Sequence, residues 1–297
     1  MKVLVFGGTR FFGKRLVELL AAEGHDVTVA TRGKTAVSFP ENVRHISMNR
    51  KHRDEIFSLA QKPFDLVYDN ICFSPQEALY AVQAFKKQQV RYIFTSSLSV
   101  YGLKGKALQE TDFDPWHYEI VTGEEEDFDY GEGKRLAEAV FFQKADFPVA
   151  AVRFPIVLGT DDYTKRLVFH LQHIAQGEEI GISQPESRIC FIRSDEAARF
   201  LLWLGTDSDL TGPINAASEG TYTLAELMER LEMVVGKKAH IEAVTEEVDE
   251  SPFSAEKDYY LDQTKAKEAG FTFLDLHTWL PELAEQLLDN ENIRKKE

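Results

Sequence analysis

The sequence predicts an α/β fold in which a doubly wound parallel sheet carries helices on both faces. Over the first two-thirds, short β-branched or aromatic runs alternate with helical patterns, as strands joined by crossover helices do. The first strand also runs straight into a glycine-rich turn that opens a helix. The 297 residues suffice for one large domain or two modest ones.

The expected strands are Lys2–Phe6, Asp26–Thr31, Val43–Ser47, 65–69, 91–95 and Val149–Phe154. A helix over 13–23 has Leu16, Leu19, Leu20 and the nearby Phe12 on its buried face. After Pro155 helices dominate, at 165–176, 195–204, Leu224–Val235 and Leu276–Asn290. Thr223 and Glu226 have the spacing of a capping box ahead of Leu227, Met228 and Leu231. Short strands at 189–192 and 213–216 interrupt the helices. This pattern predicts a sheet domain over 1–155, rejoined by segments within 189–216. A smaller, mainly helical substrate domain takes most of 156–297. The charged tail 292–297 is expected to fray.

Composition narrows the function classes. The apolar share of 43% and charged share of 28% are ordinary for a globular protein. No apolar run approaches the ~20 residues that span a bilayer, and the start is too short for a signal peptide. Two cysteines, Cys72 and Cys190, cannot build a disulfide framework, and no His/Cys cluster has zinc-site spacing, so no metal is expected. A cytoplasmic location is the expectation. The net charge of -15 opposes nucleic-acid binding, which rests on Lys and Arg displacing counterions.

The glycine turn is Gly7-Gly8-Thr9-Arg10-Phe11-Phe12-Gly13. Between a strand and a helix, such a turn lets a pyrophosphate approach the backbone and the helix N-terminus. This is the context of a dinucleotide site in a Rossmann-type sheet. The second strand ends in Thr31-Arg32-Gly33-Lys34, without the acid that would bind the ribose hydroxyls and repel a 2′-phosphate. Arg32 can stack on adenine and grip phosphate, with Arg10 close by, so NADP is preferred over NAD. The plainer alternative makes Arg32 and Lys34 solvated loop charges.

Strand five ends in Thr95-Ser96-Ser97, and the C-terminal ends of parallel strands face the ligand crevice. Tyr130 and Lys134 stand one helical turn apart on one face. A tyrosine is a weak acid, with a reference pKa of ~10; a neighbouring ammonium favours the phenolate. Gly131 and Gly133 each cost the helix ~1 kcal/mol relative to Ala, which suggests close approach by something flat. Tyr and Lys at this spacing are common on solvated helices; the glycine turn and the serines make the catalytic reading specific.

With these motifs, the sequence resembles the NAD(P)-dependent epimerase/dehydratase family, the extended short-chain dehydrogenases/reductases. Further matching blocks are Phe94–Gly102, Val152–Gly159 and Phe191–Ala198, with looser likeness at Ile214–Ala217 and Tyr260–Ala266. The resemblance implies Ser97, Tyr130 and Lys134 as the catalytic set. It implies cofactor contacts at Gly7, Thr9, Arg10, Phe11, Phe12, Gly13, Thr31, Arg32, Asp69, Asn70, Tyr130, Lys134 and Phe154. Three departures bear on function. Arg10 stands where glycine is common, as in an atypical branch that includes chloroplast stem-loop RNA-binding proteins. Leu98 and Ser99 stand where sugar-nucleotide dehydratases carry Asp-Glu. Ile156 stands where many sugar-nucleotide epimerases carry a substrate-binding Asn.

The expected activity is an NAD(P)-dependent oxidoreductase or epimerase acting on a carbinol or carbonyl centre. The expected partner is a small molecule, a sugar nucleotide being one candidate, with no membrane and no nucleic acid; a homodimer is compatible with the family. The alternative is a cofactor-dependent RNA-binding or regulatory protein. Four features carry two readings each. Glu124–Asp127 either repels anionic substrates or is a solvated loop. Trp116, His117 and Tyr118 either line a substrate lid or pack the loop on the body. Arg188 and Arg193 either hold a substrate phosphate or pair with Asp195 or Glu196. Cys72, close to the cofactor, either reacts or packs, packing being favoured.

Overall fold

A computed structural model describes residues 1–291 and 293. The tail expected to fray therefore lies, apart from Ile293, outside the described residues. The chain opens with β1 (Lys2–Phe6), α1 (Phe11–Ala22), β2 (Asp26–Thr31) and β3 (Val43–Ser47). It continues through α2 (Arg53–Leu59), β4 (Leu66–Asp69), α3 (Pro75–Phe85) and β5 (Arg91–Ser97). A long connection containing β6 (Lys106–Leu108) leads to α4 (Tyr130–Lys144) and β7 (Val149–Phe154). Then come β8 (Ile156–Leu158), α5 (Arg166–Gln176), β9 (Glu179–Gly181), β10 (Arg188–Ile189) and β11 (Phe191–Arg193). The remainder is α6 (Ser194–Thr206), β12 (Gly212–Asn215), β13 (Tyr222–Thr223), α7 (Leu224–Val235), β14 (His240–Glu242), β15 (Tyr259–Leu261), α8 (Thr264–Glu268) and α9 (Leu276–Asn290).

Seven strands form one parallel sheet in the order β12-β7-β5-β4-β1-β2-β3. The order reverses between β1 and β4, and ligands of such sheets bind at that switch, beyond the strands' carboxyl ends. The central strands are buried on both faces, which is why they read as continuous apolar runs rather than alternating ones. One face is covered by α1 and α6, through Leu16, Leu20, Phe200 and Leu204. The other is covered by α2, α3 and α4, through Ile56, Phe85, Val140 and Phe141.

Within 189–216, α6 covers the large sheet and β12 extends it, whereas β10 and β11 pair elsewhere. A second sheet runs β13-β10-β15-β6, and β11–β8 and β14–β9 form separate pairs. Behind these strands α5, α7 and α9 share a core of Leu171, Leu227, Leu231 and Leu280. The Thr223/Glu226 capping box starts α7, each side chain accepting the other residue's backbone N–H. Gly236, at φ 82°, ends that helix in the left-handed conformation glycine adopts without strain.

Two buried features set the ends of β4 and β5. Arg153 of β7 and Glu138 of α4 are both fully buried and joined by two hydrogen bonds, of 2.6 and 3.0 Å. Burial works against the Arg153 charge, but the Glu138 carboxylate holds its pKa above the usual guanidinium value. Arg153 also donates to the Tyr101 hydroxyl and to the Glu110 and Phe113 carbonyls, while Ser96 donates to Glu138. The second feature is the approach of α4 to the loop after β4. A Cβ on Gly133 would lie 2.4 Å from the Phe73 carbonyl oxygen, and one on Gly131 would lie 3.0 Å from that of Ser99. What approaches these glycines is the protein's own backbone, which corrects the expectation of a flat ligand.

Glu138→Leu, which strands the buried Arg153 charge, should therefore cost about 3–5 kcal/mol of stability. Adding Arg153→Met should recover most of that loss, and urea denaturation of the single and double variants measures both. Gly133→Ala should destabilise by about 1–3 kcal/mol, because a backbone carbonyl must move. Gly131→Ala should stay within ~1 kcal/mol of wild type, its milder contact offset by helix propensity. Thermal unfolding of the two glycine variants side by side tests that order.

Candidate active site

Gly7 stands at φ 79°, a conformation only glycine takes freely, and its N–H donates to the Ala30 carbonyl at 3.2 Å. A Cβ on Gly13 would lie 2.3 Å from the Gly7 carbonyl oxygen, so α1 starts directly against the turn. Arg10, in extended conformation, provides no side-chain cap for α1, and Phe11 follows with φ 53°. The first turn of α1 contains no acidic side chain. Thr9 lies in the turn itself. Phe12 meets Phe154 with the rings tilted by 60° and their centroids 5.8 Å apart, and Phe154 is buried in the core.

The tip of β2 is tied to its neighbours. The Thr31 hydroxyl accepts from the Gly33 N–H and bonds His45 at 2.8 Å. Arg10 Nε donates to Thr35 Oγ1 at 3.1 Å, which brings the glycine turn and the β2 loop together. Arg32 is exposed on that loop.

Asp69 and Asn70 stand at the sheet end, but their side chains are engaged within the protein. Asp69 is fully buried, accepting from Arg50 and, at 2.6 Å, from the Tyr92 hydroxyl. Asn70 donates to the Gly7 carbonyl at 3.3 Å and accepts from Thr95 Oγ1 at 2.7 Å. Its side chain thus links the ends of β1 and β5 across β4.

Tyr130 is the first residue of α4, 54% exposed, with the Asp129 carboxylate capping the helix through the Glu132 N–H. Lys134 is 1% exposed. Its Nζ donates to the carbonyls of Cys72 (2.7 Å) and Thr95 (2.8 Å), beside the rings of Phe73, Phe94 and Tyr130. An ammonium has three donors, so one proton remains for a ligand. Ser97 ends β5, where its Oγ accepts the Ser99 N–H and bonds the Ser99 hydroxyl at 3.1 Å. Ser96 is instead bound to the buried Glu138 carboxylate.

The features with two readings now have partners. Trp116 packs on Phe142 far along α4, His117 pairs with Asp114, and Tyr118 bonds Glu132, so the connection lies against the body. Arg193 forms a two-point ion pair with Asp195, and Arg188 donates to Thr221. Glu125 and Glu126 hold Lys51 on an exposed loop. Burial pushes the Cys72 thiol well above its ordinary range, a packing role rather than a reactive one. Sequence reasoning missed Tyr259, whose hydroxyl donates to the Leu98 carbonyl beside Ser99. It also missed Arg50, Glu77, Glu138 and Arg153, because charged residues in sequence look solvated until a fold pairs them. Among the described residues, no helix is long and apolar enough to cross a membrane.

Residues 3–73 match the NAD dependent epimerase/dehydratase family. Over 127 residues the chain is 35% identical to the chloroplast stem-loop binding protein of 41 kDa b of Arabidopsis thaliana, covering 38% of this chain and 33% of that one. Over 104 residues it is 34% identical to the 2'-dehydrokanamycin reductase of Streptomyces kanamyceticus, covering 34% and 29%. The chain thus spans about a third of the length of these curated relatives. The fold is similar to that of UDP-glucuronic acid 4-epimerase from Bacillus cereus, solved with UDP-glucuronic acid and NAD. That likeness has a TM-score of 0.75 at 17% identity, covering 98% of this chain and 100% of that one. The family match thus covers residues 3–73, and the likeness of fold extends over the length of the chain.

Proposed function

We propose that this protein is an NAD(P)-dependent oxidoreductase or epimerase acting on a carbinol or carbonyl centre, in a crevice between the sheet domain and the C-terminal unit. The observation that carries this reading is an exposed Tyr130 one helical turn from a buried Lys134 whose Nζ reaches the ends of β4 and β5, the strand that Ser97 ends. The residues present fit a dinucleotide: α1 begins without a side-chain cap or an acid, and Lys134 Nζ retains a donor. The turn from Gly7 to Gly13 would hold the pyrophosphate, the Asn70 backbone would flank it, and Lys134 would hold a ribose. When bound, such a cofactor supplies the acceptor or donor of hydride.

Tyr130 hands its phenol proton to the substrate oxygen in reduction and takes one back in oxidation. Ser97 donates a hydrogen bond to that same oxygen and orients it. The Lys134 ammonium, 5.8 Å from the centre of the Tyr130 ring, brings positive charge to the developing phenolate. A sugar nucleotide is one substrate candidate, supported by the ligand named for the Bacillus relative in fold. Leu98 and Ser99 argue against dehydratase chemistry, and Ile156 weakens the sugar-nucleotide assignment. The stem-loop binding relative favours an RNA reading, but a net charge of -15 opposes it.

For the cofactor we propose NADP over NAD, because the β2 tip carries Thr31 and Arg32 in place of an acid, with Arg10 tied to the same loop. Calorimetry should show tighter binding of NADPH than of NADH, and Arg32→Ala should weaken NADPH far more than NADH. Equal or better binding of NADH by the wild-type protein contradicts the assignment. Tyr130→Phe keeps the ring while removing the proton, so it should preserve folding and cofactor binding and lower turnover by ~100-fold or more. A purified-protein substrate screen supplies the assay, and near wild-type turnover in that variant would refute the mechanism.

A further inference from the structure

Beneath the loop that follows β4 lies a cluster of charges to which the catalytic reading gives no work. Arg50 is 4% exposed, Asp69 0% and Glu77 2%. Arg50 grips Asp69 through Nε and Nη2, and its Nη1 lies 4.0 Å from the Glu77 carboxylate. Burial opposes the Arg50 charge, yet Asp69 more than offsets it and keeps the guanidinium protonated. Glu77, in the first turn of α3, accepts the Phe73 N–H at 2.6 Å. That bond fixes the stretch Cys72–Phe73 from below.

Three contacts leave the same stretch upward, toward α4. The Cys72 carbonyl accepts from Lys134 Nζ at 2.7 Å. The Phe73 ring lies 4.5 Å from that Nζ and 6.3 Å from the Tyr130 ring. The Phe73 carbonyl occupies the space a side chain would need at Gly133. The loop is thus clamped between Glu77 and Lys134, and what holds one side sets the other.

We infer that Glu77, buried next to the Arg50–Asp69 pair, is a positioning residue that fixes Lys134 by anchoring the Cys72–Phe73 backbone. The inference rests on the proposed role of Lys134 in holding a dinucleotide ribose. The carboxylate acts as a hydrogen-bond acceptor, so its length and its oxygen matter more than its charge. If the anchor is lost, the Cys72 carbonyl shifts, and Lys134 loses one of its two fixed partners.

The experiment is a double-mutant cycle on NADPH affinity, measured by calorimetry on the full chain, and it needs no substrate. Glu77→Ala should weaken NADPH by about tenfold, on the scale of one charge-assisted hydrogen bond. In a Lys134→Met background the same change should cost less than about twofold, since Glu77 acts only through that lysine. Glu77→Gln keeps an acceptor oxygen at the same reach and should stay within about twofold of wild type. If Glu77→Ala does not fold, Glu77→Asp replaces it in the cycle, its shortened carboxylate falling short of the Phe73 N–H. Equal losses in both backgrounds, or no loss in either, overturn the inference, as does a Gln variant as weak as the Ala one. A Lys134→Met protein that binds NADPH like wild type would instead overturn the role of Lys134 itself.

Discussion

The site depends on how closely α4 can approach the carboxyl ends of β4 and β5. Lys134 is an ammonium inside the protein, and a buried charge is tolerable only when its donors are satisfied. Two acceptors come from different strands' ends, Cys72 after β4 and Thr95 in β5. They converge only because β4 and β5 pair in parallel, Asp69 opposite Phe94. Gly133 makes the convergence geometrically possible, because any side chain there would collide with the Phe73 carbonyl. Helix propensity is given up at Gly131 and Gly133 for backbone proximity.

Charge burial surrounds this contact on both sides. Arg50 and Asp69 lie beneath the β4 loop, and Glu138 and Arg153 lie beneath the end of β5. Buried pairs of this kind contribute little net stability, because desolvation cancels most of the attraction, whereas breaking one leaves a costly orphan. Their effect here is geometric. Arg153 gathers the Tyr101 hydroxyl and two loop carbonyls around one guanidinium, and Tyr101 passes the link to Asn215 of β12. The long connection between β5 and α4 is therefore pinned at several points, and Trp116 and Tyr118 within it contact α4.

The glycine turn follows a different logic. Gly7 and Gly13 are required by the protein's own close contacts, with Ile71 and with the Gly7 carbonyl. Phe11, with a positive φ, takes a conformation that costs a non-glycine residue of order 1–2 kcal/mol. Arg10 reaches across to Thr35 rather than toward α1. The turn therefore leaves the helix start free of side-chain caps, as an anion-receiving turn requires.

Much of the fold was legible in the sequence because it is written in local periodicity. Buried parallel strands such as Val3–Phe6 and Val149–Phe154 are continuous apolar runs, and α7 carries its cap and its glycine stop in the residues themselves. Tyr130 and Lys134 were legible as a pair, since one helical turn fixes their relation whatever the rest of the chain does. The sequence alone also set the glycine turn after β1 and the missing acid at the β2 tip. It did not reveal that Asp69 and Asn70 engage their side chains inside the protein, that Ser96 turns to Glu138 while Ser97 bonds Ser99, or that Arg50 and Glu77 lie buried beneath the loop after β4. Those outcomes belong to tertiary structure alone. A charge at position 50 acquires meaning only when β3 and β4 bring it to Asp69, and pairings between residues so far apart in the chain leave no periodic trace in it.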